Sequence, residues 1–310
     1  MGILIIGAIF VDIKGFPEDA YIPDGRNVGR IEYIHGGVCR NVAEDIANIE
    51  LRPTFLSIVD NTAMGADVLK KLNKHRVDTR YIQELPGGMG TWLAVFDNNG
   101  DLAGSISQRA DMMPLLKVLE EQGDEMFSQA DSVVVQADMH KDLMKKIFAL
   151  AEKHQKKIFG IVSNISIAVE RRDLLQKVDC FVCNQLEAGM LFADDYSEKT
   201  PEELRDILSE RVLFANIPSM VVTMGSKGSV YADMNGNKGV CPALQVAVKD
   251  TTGAGDAFFA GVTIGLTYGK TLAEAAQIGT NLAASVITSS ENVCPRFLPR
   301  ELGIDMDPIE

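Results

Sequence analysis

The stretch Asp250-Thr251-Thr252-Gly253-Ala254-Gly255-Asp256-Ala257-Phe258 sets two carboxylates and two glycines at the mouth of what reads as a helix. From Ala257 to Leu266 the chain is apolar and free of proline, as a buried helix requires. A helix N-terminus presents unpaired N–H groups and the positive end of a macrodipole, so it attracts phosphate. Glycines there let the backbone come close to the anion. A carboxylate inside such a site would be repelled by bound phosphate. Asp256 therefore points to chemistry: a base taking a proton from a hydroxyl while the amides of Gly253, Ala254 and Gly255 hold a transferring phosphoryl group. Local rules leave a second reading open, an N-cap Asp that begins an ordinary helix after a glycine turn.

Outward from this stretch, apolar strand-like runs alternate with amphipathic helical ones. The pattern predicts strands near 2–10, 54–59, 131–136, 157–162, 180–183 and 219–224. It predicts helices near 38–49, 64–74, 140–154 and 201–214, with another opening at Gln185. Such alternation implies an α/β fold, doubly wound, with a mostly parallel sheet flanked by helices. Two segments break it. Residues 12–35 hold a polar, Gly/Pro-bearing stretch and then Arg30-Ile31-Glu32-Tyr33-Ile34, which alternates like a half-buried strand. Residues 91–107 read as a hairpin turning at Asn98-Asn99-Gly100. Together they make a small β-sheet, from segments at about 12–35 and 87–109, attached to the rest of a single domain spanning 1–310. A decorative edge hairpin is the plainer reading of the same residues.

Composition narrows the classes. Of 310 residues, 46% are apolar and 24% charged, ordinary for a globular core. A net charge of −13 argues against a nucleic-acid polymer or an anionic membrane as partner. It leaves a nucleotide phosphate open, because local amides and a metal can supply the positive field. No run of about eighteen apolar residues suggests a membrane span. Gly2-Ile3-Leu4-Ile5-Ile6-Gly7 lacks the basic flank and cleavage site of a signal peptide. Five cysteines, an odd number, point to a reducing cytoplasm. Cys180 and Cys183 have the spacing of a redox or zinc pair, but they sit in an apolar run with no completing ligands and read as buried thiols. The four histidines are scattered, and His75 and His154 lie among lysines as if solvated. A histidine-based hydrolase is not expected. Gly265 to Thr271 resembles a P-loop with one residue too few between its glycines, after a helical run, and reads as a helix end and restart. No G-x-G-x-x-G follows the first strand, so a dinucleotide-binding dehydrogenase is unsupported. The acidic last ten residues read as loosely held.

The nine residues Asp250 to Phe258 resemble the C-terminal signature of the PfkB family of carbohydrate and nucleoside kinases, whose fold is ribokinase-like. Gly36-Gly37-Val38-Cys39-Arg40-Asn41-Val42-Ala43 is similar to the family's N-terminal mark. Asn184-Gln185-Leu186-Glu187 resembles its Asn-x-x-Glu motif, and Val221 to Ser229 its nucleotide-loop strand. The resemblance implies a lid that closes over the sugar and excludes water. It implies ATP as donor, with Asn184 and Glu187 organising Mg²⁺ and its water shell. That pair reads equally as a capping box, and both readings hold together. Asp250 matches a position that in the family helps hold a monovalent cation, K⁺; a strand-ending turn residue is the alternative. Thr223, Gly225 and Gly228 match the place of the ATP phosphates and ribose, although T-x-G-x-x-G alone would serve any hairpin. Asn281, with Ala283 and Ala284 after it, is expected beside the adenine.

On the acceptor side, Asp12 is expected to end the first strand and project into the cleft, where a carboxylate can accept two sugar hydroxyls. Gly36, Gly37 and Asn41 match the family's sugar-contacting segment, since glycines allow close approach and an amide both donates and accepts. A simple turn and a satisfied first-turn polar group are the alternatives. The order Arg40-Asn41 in GGVxRNVAxxIA is more similar to pseudouridine kinases than to ribokinases or fructokinases, and Gly29-Arg30-Ile31 resembles their lead-in strand. Asp45 in place of a common Asn, and Ile49-Glu50 in place of Leu-Gly, depart from the pattern. Arg40 is expected among the substrate-binding residues with Asp12, Gly36, Gly37 and Asn41, and it reads equally as a structural residue paired with an acidic neighbour. The expectation is ATP-dependent phosphorylation of a sugar or nucleoside hydroxyl, with the 5′-hydroxyl of pseudouridine leading. A ribokinase- or fructokinase-like sugar kinase is the alternative, and a non-catalytic sugar or nucleoside sensor the alternative of another class. ADP as donor stays open. A homodimer through the lid's exposed sheet is expected.

Overall fold

The computed structural model describes residues 2–305. Eight strands form the main sheet in the order Lys238–Cys241, Ser229–Asp233, Ser219–Thr223, Cys180–Asn184, Ile158–Ile161, Val133–Gln136, Leu4–Ile6 and Thr54–Leu56. From Ser219–Thr223 to Thr54–Leu56 every neighbouring pair is parallel, and the other two strands add antiparallel. Side chains alternate across the sheet, and both faces are covered. Leu4, Ile6, Val133 and Val135 enter one core and Ile3, Ile5 and Val134 the other. This is why the central strands read as continuous apolar runs. Helix Ala254–Thr267, buried from Ala257 to Gly265, lies in the second core with helix Leu272–Ile287 and helix Val38–Asn48. Among the described residues no helix is long and apolar enough to cross a membrane.

A second, four-stranded sheet has the order Gly29–Gly36, Phe10–Pro17, Gly90–Phe96, Leu102–Gln108. Asp12 pairs with Ile34 and Trp92, so these three share one face, and Ile13, Tyr33, Leu93 and Ile106 share the other. The expected first strand, 2–10, is two pieces. The chain leaves the main sheet after Ile6, the Ala8 amide donates to Gln136 Oε1 at 2.9 Å, and the small sheet begins at Phe10. Asp12 therefore lies within a strand of the small sheet and does not end the first strand. Nearly every residue from Gly2 to Val11 is apolar, so hydrophobicity carries no mark of the transfer. The strand expected at 54–59 is also split: Ser57 Oγ donates to Gly7 O at 2.6 Å, and Ile58–Val59 turns away to pair with Gln83–Glu84. Helix Leu115–Gln129 and strands Ser229–Asp233 and Lys238–Cys241 were not anticipated. In that helix Gly123, a weak helix residue, fits against Leu150, and only the tertiary contact supports it. Of the acidic C-terminal end, residues 306–310 lie outside the described residues.

Candidate active site

Helix Ala254–Thr267 opens at the carboxyl-end side of the sheet, where ligands of such folds bind. Its N-cap is Gly253 at φ 82°, and a Cβ there would stand 2.0 Å from the carbonyl oxygen of Asn292. Only glycine meets both the left-handed backbone and the close approach. Asp256 is thus the third helical residue and not the cap, which sets aside the N-cap reading. The Ala254 amide is already engaged with Thr251 O at 3.2 Å, so of the expected anion-binding amides it is the least available. Gly255 faces open space: a Cβ there would meet nothing within 4 Å. First-turn amides have no acceptor within their own helix. Asp250 makes a turn, accepting from the Thr252 amide at 2.8 Å, and those Thr252 bonds hold its carboxyl below the usual range.

Asn41 reaches across 215 residues of sequence to donate from Nδ2 to Asp256 Oδ2 at 2.6 Å. Burial pushes the Asp256 carboxyl up to about 6; the Asn41 bond and the Arg40 charge oppose this, while the charges of Asp12 and Glu187 add to it. A carboxylate with a pKa near neutrality is suited to proton transfer. Asn41 is held in turn: its Oδ1 accepts from Asn292 Nδ2 at 3.3 Å and from Arg40 Nη2. Arg40 itself is wholly buried. Nη1 meets Glu44 at 2.6 Å, Nε donates to Gly36 O at 3.3 Å, and Nη2 also meets His35 O. The expectation that Arg40 touches substrate is corrected: it has no exposed surface, each of its three side-chain nitrogens bonds within the fold, and it braces Asn41. Glu44 continues the buried network toward Lys71 at 3.6 Å and His75 at 3.8 Å. His75 also meets Asn48 Oδ1 at 2.7 Å, and His154 meets Asp124 at 2.7 Å, so neither is the freely solvated side chain its lysine neighbours suggested.

Asp12 lies against Gly36, where a Cβ would come within 2.5 Å of its Oδ1. Burial raises its carboxyl, against the lowering effect of Lys14 and Arg40. Gly37, at φ 98° and packed on Ala8 O, serves the close backbone crossing. Sequence reasoning missed Asp138, which is buried and accepts from Arg109 Nη2 at 2.7 Å, Ser163 Oγ at 2.8 Å and the Ser163 amide at 3.1 Å. It follows the strand Val133–Gln136, so the rule that drew attention to Asp12 would have found it. Asn292 carried no signal, since its role depends on the chain's return to helix Val38–Asn48.

Asn184 and Glu187 form a capping box: Asn184 Oδ1 takes the Glu187 amide and Glu187 Oε2 the Asn184 amide, each at 2.8 Å. Burial raises the Glu187 carboxyl, the Asn184 amide lowers it, and Asp138 raises it further. Asn184 and Thr223 are paired in register and, with Gly225, Gly255 and Met190, line a cleft of about 1130 Å³. Gly228 is in the turn, with its Cβ position filled by Cys241 O at 2.2 Å. Asn281 lies on helix Leu272–Ile287, bonded to Gln277 at 3.2 Å, and is not among the residues lining that cleft. No group of three or more His, Cys, Asp or Glu able to hold a metal occurs among the described residues. The set fits Mg²⁺ bound mainly by phosphate and water, with one Glu187 oxygen left for the water shell.

A doubly wound sheet, a small second sheet and a carboxylate at a glycine-bearing helix mouth suit a small-molecule phosphotransferase. The family comparison makes it specific: residues 2–294 match the model described as pfkB family carbohydrate kinase, and the chain belongs to that family. It is 36% identical over 292 residues to guanosine-inosine kinase of Exiguobacterium acetylicum, covering 94% of this chain and 95% of that one. It is 24% identical to pseudouridine kinase of Escherichia coli K12, covering 92% and 90%. Ribokinase of Arabidopsis thaliana complexed with ribose and ATP superposes with a TM-score of 0.85, at 18% identity, over 98% of this chain and 99% of that one. The ribokinase-like fold and membership of a sugar and nucleoside kinase family are thereby shown.

Proposed function

We propose that this chain transfers the γ-phosphoryl group of ATP to the 5′-hydroxyl of a purine nucleoside, guanosine or inosine. The observation that carries the chemistry is the Asn41–Asp256 bond at 2.6 Å, at the mouth of a buried helix. The likeness to guanosine-inosine kinase, 36% over nearly the whole of both chains, supports the acceptor. Asp256 takes the hydroxyl proton as the oxygen attacks, and Asn41 fixes the carboxylate. The amides of Gly253, Gly255 and Asp256 receive the phosphoryl oxygens; removing one such donor costs about 3–4 kcal/mol in other enzymes. Asp12, held against Gly36, takes sugar hydroxyls. Thr223 and Gly225 border the donor phosphates. Glu187 and Asn184 would hold Mg²⁺ through water, and the bound ion would neutralise phosphate charge. Asp250, its carboxyl held low, suits a neighbouring K⁺.

A second reading keeps pseudouridine, on the Arg40-Asn41 helix start and the 24% relative. The same proposal takes a second copy against the lid, because Ile31 (64% exposed), Tyr33 (60%) and Ile106 (70%) leave its outer face apolar. Five buried free thiols suit a reducing cytoplasm. The test is ADP release with guanosine, inosine, pseudouridine, adenosine, ribose, fructose and fructose 6-phosphate as acceptors. Guanosine and inosine should lead in kcat/KM. A lead for pseudouridine establishes the second reading, and no turnover with any acceptor overturns both. Sedimentation reads the dimer.

A further inference from the structure

We propose that Arg171 and Arg109 read the O6/N7 edge of a 6-oxopurine base, an inference that rests on the nucleoside reading above. They border a space of about 260 Å³ beside Ala8, Phe10 and Asp138. Ligand pockets run roughly 300–1,000 Å³, so this one suits a single ring system and not a whole nucleotide. It adjoins the hydroxyl-binding end: Phe10 precedes Asp12 by two residues on the same face of the lid strand Phe10–Pro17. Asp138, on its wall, is close enough to Glu187 to raise that carboxyl.

The walls are mixed: Asp138 and Asp111 stand beside apolar surface, and the two arginines donate. Phe10, Met112 and Met139 supply flat or pliable surface, with both methionines buried. Arg109 is oriented by two bonds from Nη2, to Asp138 Oδ2 at 2.7 Å and Asp138 O at 3.2 Å. Arg171 is oriented by a bond from Nη1 to Met139 O. Each guanidinium has five N–H donors and no acceptor, so donors remain beyond these anchors. Guanine and hypoxanthine place two acceptors, O6 and N7, on one edge, the pairing that arginine makes in base recognition. Adenine sets an amino donor at position 6 and would leave a guanidinium facing a donor. A phosphate group is the poorer occupant, because Asp138 and Asp111 stand at the same pocket and its walls are methionine.

The experiment compares kcat/KM for guanosine, 7-deazaguanosine, inosine, adenosine and fructose 6-phosphate in the parent protein and in Arg171→Gln. Removing N7 should lower kcat/KM of the parent protein by about 5- to 150-fold, carried mainly in KM. In Arg171→Gln the guanosine to 7-deazaguanosine ratio should fall toward one with the melting temperature retained. Arg109→Lys, which keeps a cation beside Asp138, should shrink the same ratio. Guanosine turnover with an unchanged ratio in both variants overturns this inference alone. No turnover of any nucleoside overturns the nucleoside reading and this inference with it. A preference for fructose 6-phosphate puts a phosphate group in the pocket and also overturns it.

Discussion

Replacing Asn41 with leucine tests the link between the helix mouth and its base. Asp256 titrates near 6 because burial raises it and Asn41 restrains the rise. A base works ionised, so activity is lost as pH falls through that value. The ionised fraction drops from roughly 0.9 at pH 7 to roughly 0.1 at pH 5, so kcat/KM should fall about tenfold over that span. The Asn41→Leu change keeps the volume and removes the donor at 2.6 Å. A hydrogen bond to a charged group contributes about 1.5–3 kcal/mol, and one pKa unit equals about 1.36 kcal/mol. Water in the cleft replaces part of the bond, so the net shift is about one unit upward. The acid limb of kcat/KM should then move from about 6 to about 7, an added loss of about fivefold at pH 6 that vanishes near pH 8.5. Any loss that persists at pH 8.5 measures Asn41's contact with the acceptor instead. Steady-state rates from pH 5 to 8.5, with melting temperatures as a fold control, provide the assay. A flat profile for the parent protein below pH 7, or an unmoved limb in Asn41→Leu, would refute the reasoning.

Four further outcomes follow. Asp256→Asn should lower kcat by about 10²- to 10⁴-fold while the melting temperature holds or rises, because a buried carboxyl is replaced by its neutral isostere. Gly255→Ala meets no atom within 4 Å, so its melting temperature should stay within a degree or two while turnover falls at least about tenfold, the added methyl standing where phosphoryl oxygens are received. Gly253→Ala should instead lower the melting temperature by several degrees, since its methyl would stand 2.0 Å from Asn292 O at a backbone angle that disfavours any side chain. Asp45 is fully buried, and burial drives its carboxyl well up. A carboxyl raised by folding contributes stability that is present below the ordinary carboxylate range and is lost as pH rises toward the raised value. Asp45→Asn keeps an oxygen for the Cys294 amide, now bonded at 2.6 Å. It should raise the melting temperature more at pH 8 than at pH 5; an equal change at both would show that Asp45 is ionised in the fold.

Much of this protein was legible because its signals are local. The glycine spacing of Gly253 and Gly255, the apolar run after them and the Asn184–Glu187 box concern residues a turn apart, where sequence distance is spatial distance. The alternation of strand and helix fixed the doubly wound class for the same reason. Segment ends were legible only where composition changes. Leu4–Ile6 runs on to Phe10 and Val11 with no polar side chain between, so the passage from the main sheet to the small one was invisible.

The sequence by itself determined the family and the fold class, and it singled out Asp256, the carboxylate proposed as the base. Tertiary structure decided which side chains face that carboxylate and which brace it. Arg40, read as a substrate contact, proved to be a buried brace for Asn41. Asp138, Arg109 and Asn292 entered the site from strand ends and loops distant in the chain. The physical reason is that a charged group's role depends on what shares its burial and completes its hydrogen bonds. Those partners, 215 residues apart for Asn41 and Asp256, meet only when the sheet has brought its strand ends together.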